Sequence, residues 1–277
     1  MPETTRFAPS PSGQLHLGHA FSALFAARTA QSGRFLLRLE DIDRGRCRAE
    51  FETALLDDLA WLGLRWEEPP LRQSERFPAY RDALERLRAL GLVYPCFCTR
   101  RAIAEEIARA DSAPHGPDGP LYPGLCRGLS DSERQERLAA GESHAWRLNV
   151  EQARQRSGPL TWLDLDEGEQ VARPELLGDV VLARRDIPTS YHLAVVVDDA
   201  AQEITLVTRG VDLFHATHMH RLLQALLDLP VPRWHHHRLI TDADGKRLAK
   251  RHDSLSLKAL RAAGRSPTEV RAMVGMD

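Results

Sequence analysis

Apolar positions in the first ninety residues alternate between a strand-like and a helical period. Thr4 to Pro9 reads as a short buried strand stopped by proline, and Pro9-Ser10-Pro11-Ser12-Gly13 as a turn-rich loop. Leu17, Ala20, Phe21, Leu24 and Ala27 then fall at helical spacing, which predicts a helix over 17–30. Arg34 to Glu40, with Phe35-Leu36-Leu37 and Leu39, is a second strand. Further helices follow over 48–62, ended by Gly63, and over 75–90, capped by Gly91. Strand, helix, strand, helix is the signature of a parallel α/β sheet.

The pattern then breaks. Residues 99–110 are helical, 111–128 form a long loop rich in Gly, Pro, Ser and Asp, and 130–140 are helical again. Strands are expected at 145–150 and 180–184. A loop this long in a compact chain is usually functional or pinned. From Tyr191 the α/β pattern returns, with an apolar run at 191–197, a strand at 204–208 and a long helix at 212–229. Arg238-Leu239-Ile240 leads into a loop at 241–252, and helical segments at 255–263 and 267–274 finish the chain. The expected division is 1–94, an insertion over 95–180, 181–240, and a C-terminal segment 241–277.

Composition adds limits. With 277 residues and 43% hydrophobic content the chain has enough apolar residues for a core of ordinary size. A net charge of −2 gives no overall sign of nucleic-acid binding, although 233–238 and 246–252 are locally basic. Such stretches can meet phosphates, but a solvated face is their default reading. No basic start is followed by an apolar leader, and no apolar run approaches the ~20 residues of a membrane helix. The expected location is the cytoplasm, and nothing demands more than a monomer. Three of the four cysteines, Cys96, Cys98 and Cys126, flank the long loop, while Cys47 stands alone. In a cytosolic chain this grouping points to a metal rather than to disulfides. Zinc wants a fourth ligand; imidazole chemistry alone suggests His115.

Two segments carry candidate chemistry. His16-Leu17-Gly18-His19 sits where the first strand meets the first helix. Helix N-termini attract phosphate, and Gly18 lets a nucleotide approach the backbone. His16 and His19, three apart, share one side of the first turn and can donate hydrogen bonds to phosphate oxygens. Alone, the pair equally fits polar residues at a helix start. The second segment is Gly245-Lys246-Arg247-Leu248-Ala249-Lys250-Arg251, whose cations can neutralise a triphosphate.

Together, and in this order, the two segments resemble the HIGH and KMSKS signatures of class I aminoacyl-tRNA synthetases. The second departs from its pattern at several positions but keeps Lys250. The segments Arg6 to Gly13, Leu39-Glu40-Asp41-Ile42-Asp43, Arg72 to Arg76, Tyr191 to Ala194 with Val197-Asp198-Asp199, and Thr208 to Leu213 are similar to motifs of glutamyl-tRNA synthetases. The resemblance runs from residue 6 to about 252 and implies a Rossmann-like catalytic domain with a zinc-containing insertion and a short helical C-terminal segment. The segment 241–277 becomes a KMSKS-like loop with shortened stem-contact helices. It also implies a glutamate pocket of Arg6, Phe7, Ala8, Pro9, Ser10, Glu40, Tyr191 and Arg209. Either arginine can hold the side-chain carboxylate, and Glu40 the ammonium. His16, Gly18, His19 and Lys250 would bind ATP. Of these His16, His19 and Lys250 would stabilise charge while the glutamate carboxylate attacks the α-phosphorus, with Mg²⁺ arriving on the nucleotide.

The region 95–180 resembles the zinc-binding insertion of the glutamyl-queuosine branch of that family, which implies one structural Zn²⁺ on Cys96, Cys98, Tyr122 and Cys126. Only 27 residues follow Lys250, where complete glutamyl-tRNA synthetases carry helical anticodon-binding domains. That branch implies tRNA-independent activation of L-glutamate and its transfer to queuosine in the anticodon loop of aspartate tRNA. The competing readings are a shortened synthetase charging a 3′ end, a small-molecule adenylate-forming ligase, and a non-catalytic RNA-binding module. Glu40 and Lys250 speak against the last.

Overall fold

The computed structural model describes residues 2–109, 115–117, 119–241 and 256–277. The element order opens as the periodicity predicts. Strand β1 (Thr4–Phe7) is followed by α1 (Leu17–Ala30), β2 (Arg34–Leu39), α2 (Ala49–Trp61), the two-residue β3 (Leu71–Arg72) and α3 (Phe77–Ala89). β1, β2 and β3 pair in parallel in that spatial order. One side of α1 packs onto them through Leu17, Ala20, Phe21 and Leu24.

The middle of the chain holds more structure than its pattern suggests. After β4 (Val93–Cys96) and α4 (Arg100–Arg109), a small hairpin of β5 (His115–Gly116) and β6 (Gly119–Pro120) lies within the long loop. Then come α5 (Asp131–Ala139), β7 (Ala145–Leu148), α6 (Val150–Ser157), β8 (Thr161–Asp164), β9 (Gly168–Val171) and β10 (Val181–Arg184). β4 and β10 flank β7 in an antiparallel sheet. Its Pro95 is tolerable because β4 is an edge strand. The β8–β9 hairpin belongs elsewhere: β8 pairs in parallel with a later strand, so residues inside the 95–180 span extend the main sheet.

The last third contains α7 (Tyr191–Ala201), β11 (Leu206–Gly210), α8 (Ala216–Leu226), β12 (Arg233–His237), α9 (Leu257–Ala262) and α10 (Pro267–Val274). The apolar run at 191–197 is a helix, started by the Ser190 hydroxyl on the Leu193 N–H. The helix expected over 212–229 is shorter, because a 3-10 turn occupies Val211–Leu213.

The basic stretch at 233–238 is corrected by the fold. β12 is an interior strand between β11 and β8, with Trp234, His236 and His237 buried. Burial drives the His236 imidazole down to about 4 and lowers His237, so these two rings add no positive charge near neutral pH and the charge of the stretch rests on Arg233 and Arg238.

Order in space explains where a ligand can enter. β1 leads outward through β2 to β3, and β11 outward through β12 to β8. β1 lies beside β11, stitched by the Thr205 N–H to the Thr4 carbonyl at 3.0 Å. The winding therefore reverses between β1 and β11, and open α/β sheets bind ligands beyond the strand ends at such a point. α9 and α10 complete the core over α1 and α2 through Leu257, Leu260, Val270 and Val274. Among the described residues no helix is long and apolar enough to cross a membrane.

Candidate active site and thiol cluster

The carboxyl ends of β1, β2, β11 and β12 open into one cavity of about 260 Å³. Arg6, Phe7, Ala8, Pro9, Ser10, His16, Gly18, His19, Glu40, Tyr191 and Arg209 all line it. Every sequence-predicted glutamate or nucleotide residue is thus brought to one place except Lys250, which with the rest of 245–251 lies outside the described residues. The described neighbours of that segment are at the cavity: Ile240 lines it and Ser256 bridges to His16.

At the end expected to take the nucleotide, the histidine pair caps α1. His16 Nδ1 accepts from the Gly18 N–H at 3.1 Å, and His19 Nδ1 accepts from the His16 N–H at 3.2 Å. An imidazole accepting at Nδ1 must carry its proton on Nε2, so both rings are fixed as Nε2–H donors. The centroids are 3.8 Å apart. Gly18 has a local reason beyond nucleotide approach: a Cβ there would meet the His16 ring at 3.0 Å.

Charge is arranged unequally at the end expected to take the amino acid. Arg6 Nε binds Asp199 Oδ1 at 2.9 Å, and Arg38 Nη1 binds the same oxygen at 2.7 Å. Burial opposes a charged Asp199, but these two guanidinium groups outweigh it and hold the carboxyl low. Arg38 also reaches toward Glu40, at 3.8 Å. Burial raises Glu40 to about 7, with Arg38 and Arg6 pulling the other way and Asp199 and Asp198 adding repulsion. Asp198 itself accepts from Gln73, Arg76 and Tyr80 and belongs to the scaffold.

Arg209 is different. Its Nε donates to His236 Nε2 at 3.2 Å and its Nη2 to Thr217 Oγ1 at 2.6 Å. Nη1 reaches the Tyr191 hydroxyl at 3.2 Å and His220 Nδ1 at 3.1 Å. No carboxylate among the described residues pairs with it. Three guanidinium groups, Arg6, Arg38 and Arg209, therefore face two carboxylates, Asp199 and Glu40. The remaining positive charge is complementary to a ligand of net −1, such as a zwitterion with one extra carboxylate. At the mouth, Arg238 and Asp212 add one charge of each sign. Arg38, Asp164, Thr217, His220 and His236 were not singled out from sequence. His236 was visible only as part of the basic stretch 233–238, and His220 carried no signal of its own.

The three grouped cysteines also meet. Their sulfurs lie within 4.8 Å of one another, and Cys98 Sγ is 3.4 Å from Cys126 Sγ. The Tyr122 hydroxyl is 3.3 Å from Cys96 Sγ and 3.5 Å from Cys98 Sγ. A tetrahedron with metal–sulfur bonds of ~2.3 Å has edges of roughly 3.8 Å, so the donor set fits zinc. The hydrogen bond from the Cys126 thiol holds Cys96 down to about 4, and Cys126 is itself pushed up in return. The side chain of His115, the rival fourth ligand, lies outside the described ones. Cys47 sits apart, 3.6 Å from the Ser10 hydroxyl at the cavity rim.

Residues 3–276 match the family model for the catalytic domain of class I tRNA synthetases of the E and Q type. A glutamyl-Q tRNA(Asp) synthetase of Rhodobacter capsulatus is 54% identical over 98% of this chain and 99% of its own length. A protein of the same name from Symbiobacterium thermophilum is 46% identical over 96% of this chain and 83% of its own. In structure, the chain is similar to a glutamate tRNA ligase of Elizabethkingia meningosepticum, crystallised with its amino acid. The TM-score is 0.76 at 28% identity, over 91% of this chain and 52% of that one.

Proposed function

This chain belongs to the class I tRNA synthetases of the glutamate and glutamine type, and on that premise we propose that it activates L-glutamate with ATP and transfers it to queuosine in the anticodon loop of aspartate tRNA. The observation that carries the activation half is the cavity's charge: Glu40 is available for an ammonium, while Arg209 is buried among neutral partners. Glutamate, with two carboxylates and one ammonium, fits that imbalance. The relatives' shared name supports the transfer half.

Arg209 holds the side-chain carboxylate. The α-carboxylate is the nucleophile and must stay free to approach phosphorus, so the deepest cation suits the carboxylate that does not react. Glu40 takes the ammonium, and Phe7 to Ser10 wall the pocket. His16 and His19 offer Nε2–H donors to phosphate oxygens as charge builds, and Lys250 adds a cation. The α-carboxylate oxygen bonds to the α-phosphorus, the bond to the bridging oxygen breaks, and pyrophosphate leaves. Mg²⁺ arrives on ATP and offsets its charge. Cys96, Cys98, Cys126 and Tyr122 hold one structural Zn²⁺, which pins a region with little core of its own. The protein works as a cytoplasmic monomer. Residues 1–94 and 181–240 form the two catalytic halves, 95–180 carries the metal-bearing insertion together with the β8–β9 hairpin that joins the main sheet, and 241–277 holds the second signature loop with its closing helices.

The test is transfer of radiolabelled glutamate onto aspartate tRNA with and without queuosine. Label confined to queuosine-containing tRNA, and surviving removal of the 3′ end, is the expected result. Label on glutamate tRNA, lost with the 3′ end, would replace this acceptor with a conventional one.

A further inference from the structure

A chain of buried polar groups stands behind Arg209 that no step of the reaction uses. Asp164, on β8, accepts from His236 Nδ1 at 2.7 Å. The other nitrogen of that ring meets Arg209 Nε at 3.2 Å. Since a guanidinium can only donate, Nε2 must offer its lone pair and Nδ1 must carry the proton. The tautomer is therefore set from both sides. The same logic runs the other way: His220 Nδ1 accepts from Arg209 Nη1, and His220 Nε2 meets His192 Nδ1 at 3.2 Å. His220, His236, Thr217 and Arg209 are all more than nine-tenths buried. Asp164 is close to Arg209 in the chain of bonds, yet a neutral ring keeps its carboxylate from touching the guanidinium. Its own oxygens are occupied by the Asp166, Glu167 and His236 N–H groups.

This arrangement is an unusual way to hold an arginine. Burying a guanidinium is costly, and the common remedy is a carboxylate in direct contact, as Asp199 supplies for Arg6. Arg209 instead receives orientation from four uncharged acceptors and neutralisation from none of them. We propose that His236, His220 and Thr217 are positioning residues that set the amino-acid specificity of the pocket. By holding Arg209 without cancelling its charge, they make the site require a carboxylate, and reject a carboxamide, at the end of the substrate side chain. The inference rests on the glutamate reading above and deepens it. A carboxamide placed against Arg209 leaves the buried charge unmet and points an N–H donor toward donors, a mismatch that hydrogen-bonding sites reject strongly.

The deciding variant is His236→Glu, which retains an acceptor for Arg209 Nε–H but adds a negative charge. His236→Gln is its control, since an amide oxygen accepts the same bond without charge. ATP–pyrophosphate exchange is measured with glutamate and with glutamine, and folding is followed by circular dichroism. His236→Glu should lower kcat/KM for glutamate by about 30-fold or more, mainly through KM, and reduce the glutamate-to-glutamine ratio at least about tenfold. His236→Gln should keep that ratio within about threefold of the wild type. Equal losses for both amino acids in His236→Glu, with an unchanged ratio, would make the histidine merely structural and overturn the inference. Should His236→Glu not fold, His220→Glu places the charge against Nη1 and decides by the same ratio. A wild-type protein that exchanges with neither amino acid would instead defeat the glutamate reading itself.

Discussion

The cavity at the strand ends and the thiol cluster hold their side chains in place by opposite means. Around the cavity, Arg6 and Arg38 are fixed by a group distant in sequence, Asp199, and Arg209 by groups on the neighbouring elements α7, α8 and β12, and all three are nearly or fully buried. Orientation comes from the fold itself. Around the cysteines, the described core is only Tyr94, Cys96 and Cys126 with a few half-buried neighbours, and the adjoining α5 buries no residue at all. Apolar burial there is small, so the proposed ion would have a structural task that it lacks at the cavity. A site that must discriminate charge is preorganised by packing, whereas a site that must only hold shape can delegate that to a metal.

The contrast can be broken in order of expected effect on glutamate activation. Arg209→Met removes the uncancelled cation and should reduce kcat/KM by about 10³-fold, while retaining the melting behaviour of the wild type to within a few degrees. Pyrophosphate exchange close to wild type would remove Arg209 from the pocket. Lys250→Ala should cost about 10²-fold in the exchange rate with the fold intact; unchanged activation kinetics would strip Lys250 of its role.

A pH effect follows from Glu40. Burial raises its carboxyl to about 7, and binding the substrate ammonium needs the ionised form. Glutamate affinity should therefore rise with pH through 7, gaining roughly tenfold between pH 6 and pH 8, with proton release on binding. For folding the sign is reversed. Between the ordinary carboxyl value of 4.5 and about 7 the folded state retains a proton that the unfolded chain releases, so this group makes stability fall as pH rises across that window. Calorimetry in buffers of different ionisation enthalpy checks the proton count, and Glu40→Gln should abolish the pH dependence.

The smallest effect on activation belongs to the other region. Cys126→Ser should lose bound zinc and lower the melting temperature by about 5–10 °C, yet leave the glutamate KM within about twofold. A full equivalent of zinc in that variant would refute the ligand set. A large rise in KM would show that the two regions are not independent.

Much of this was legible in the sequence because it is local. The helix start at His16 to His19 is readable from a three-residue spacing, and the first strands and helices from periods of two and 3.6. The grouping of Cys96, Cys98 and Cys126 could be counted. What failed locally failed for identifiable reasons. Val93-Tyr94-Pro95-Cys96 is a strand that its proline concealed, and Arg233 to His237 looked solvated because histidine is read as polar whatever surrounds it. Residues 161–171 looked like part of an insertion, since nothing in a hairpin's own sequence names the distant strand it will join.

From the sequence alone one could determine which residue types the site would use and the order in which the chain delivers them. It could not determine which charges cancel. That Arg6 spends its charge on Asp199 while Arg209 retains its own depends on contacts between residues 193 apart in one case and on three uncharged acceptors converging from α8 and β12 in the other. Electrostatic balance is a sum over distances and burial, and both come into being only when β1, β2, β11 and β12 are brought side by side.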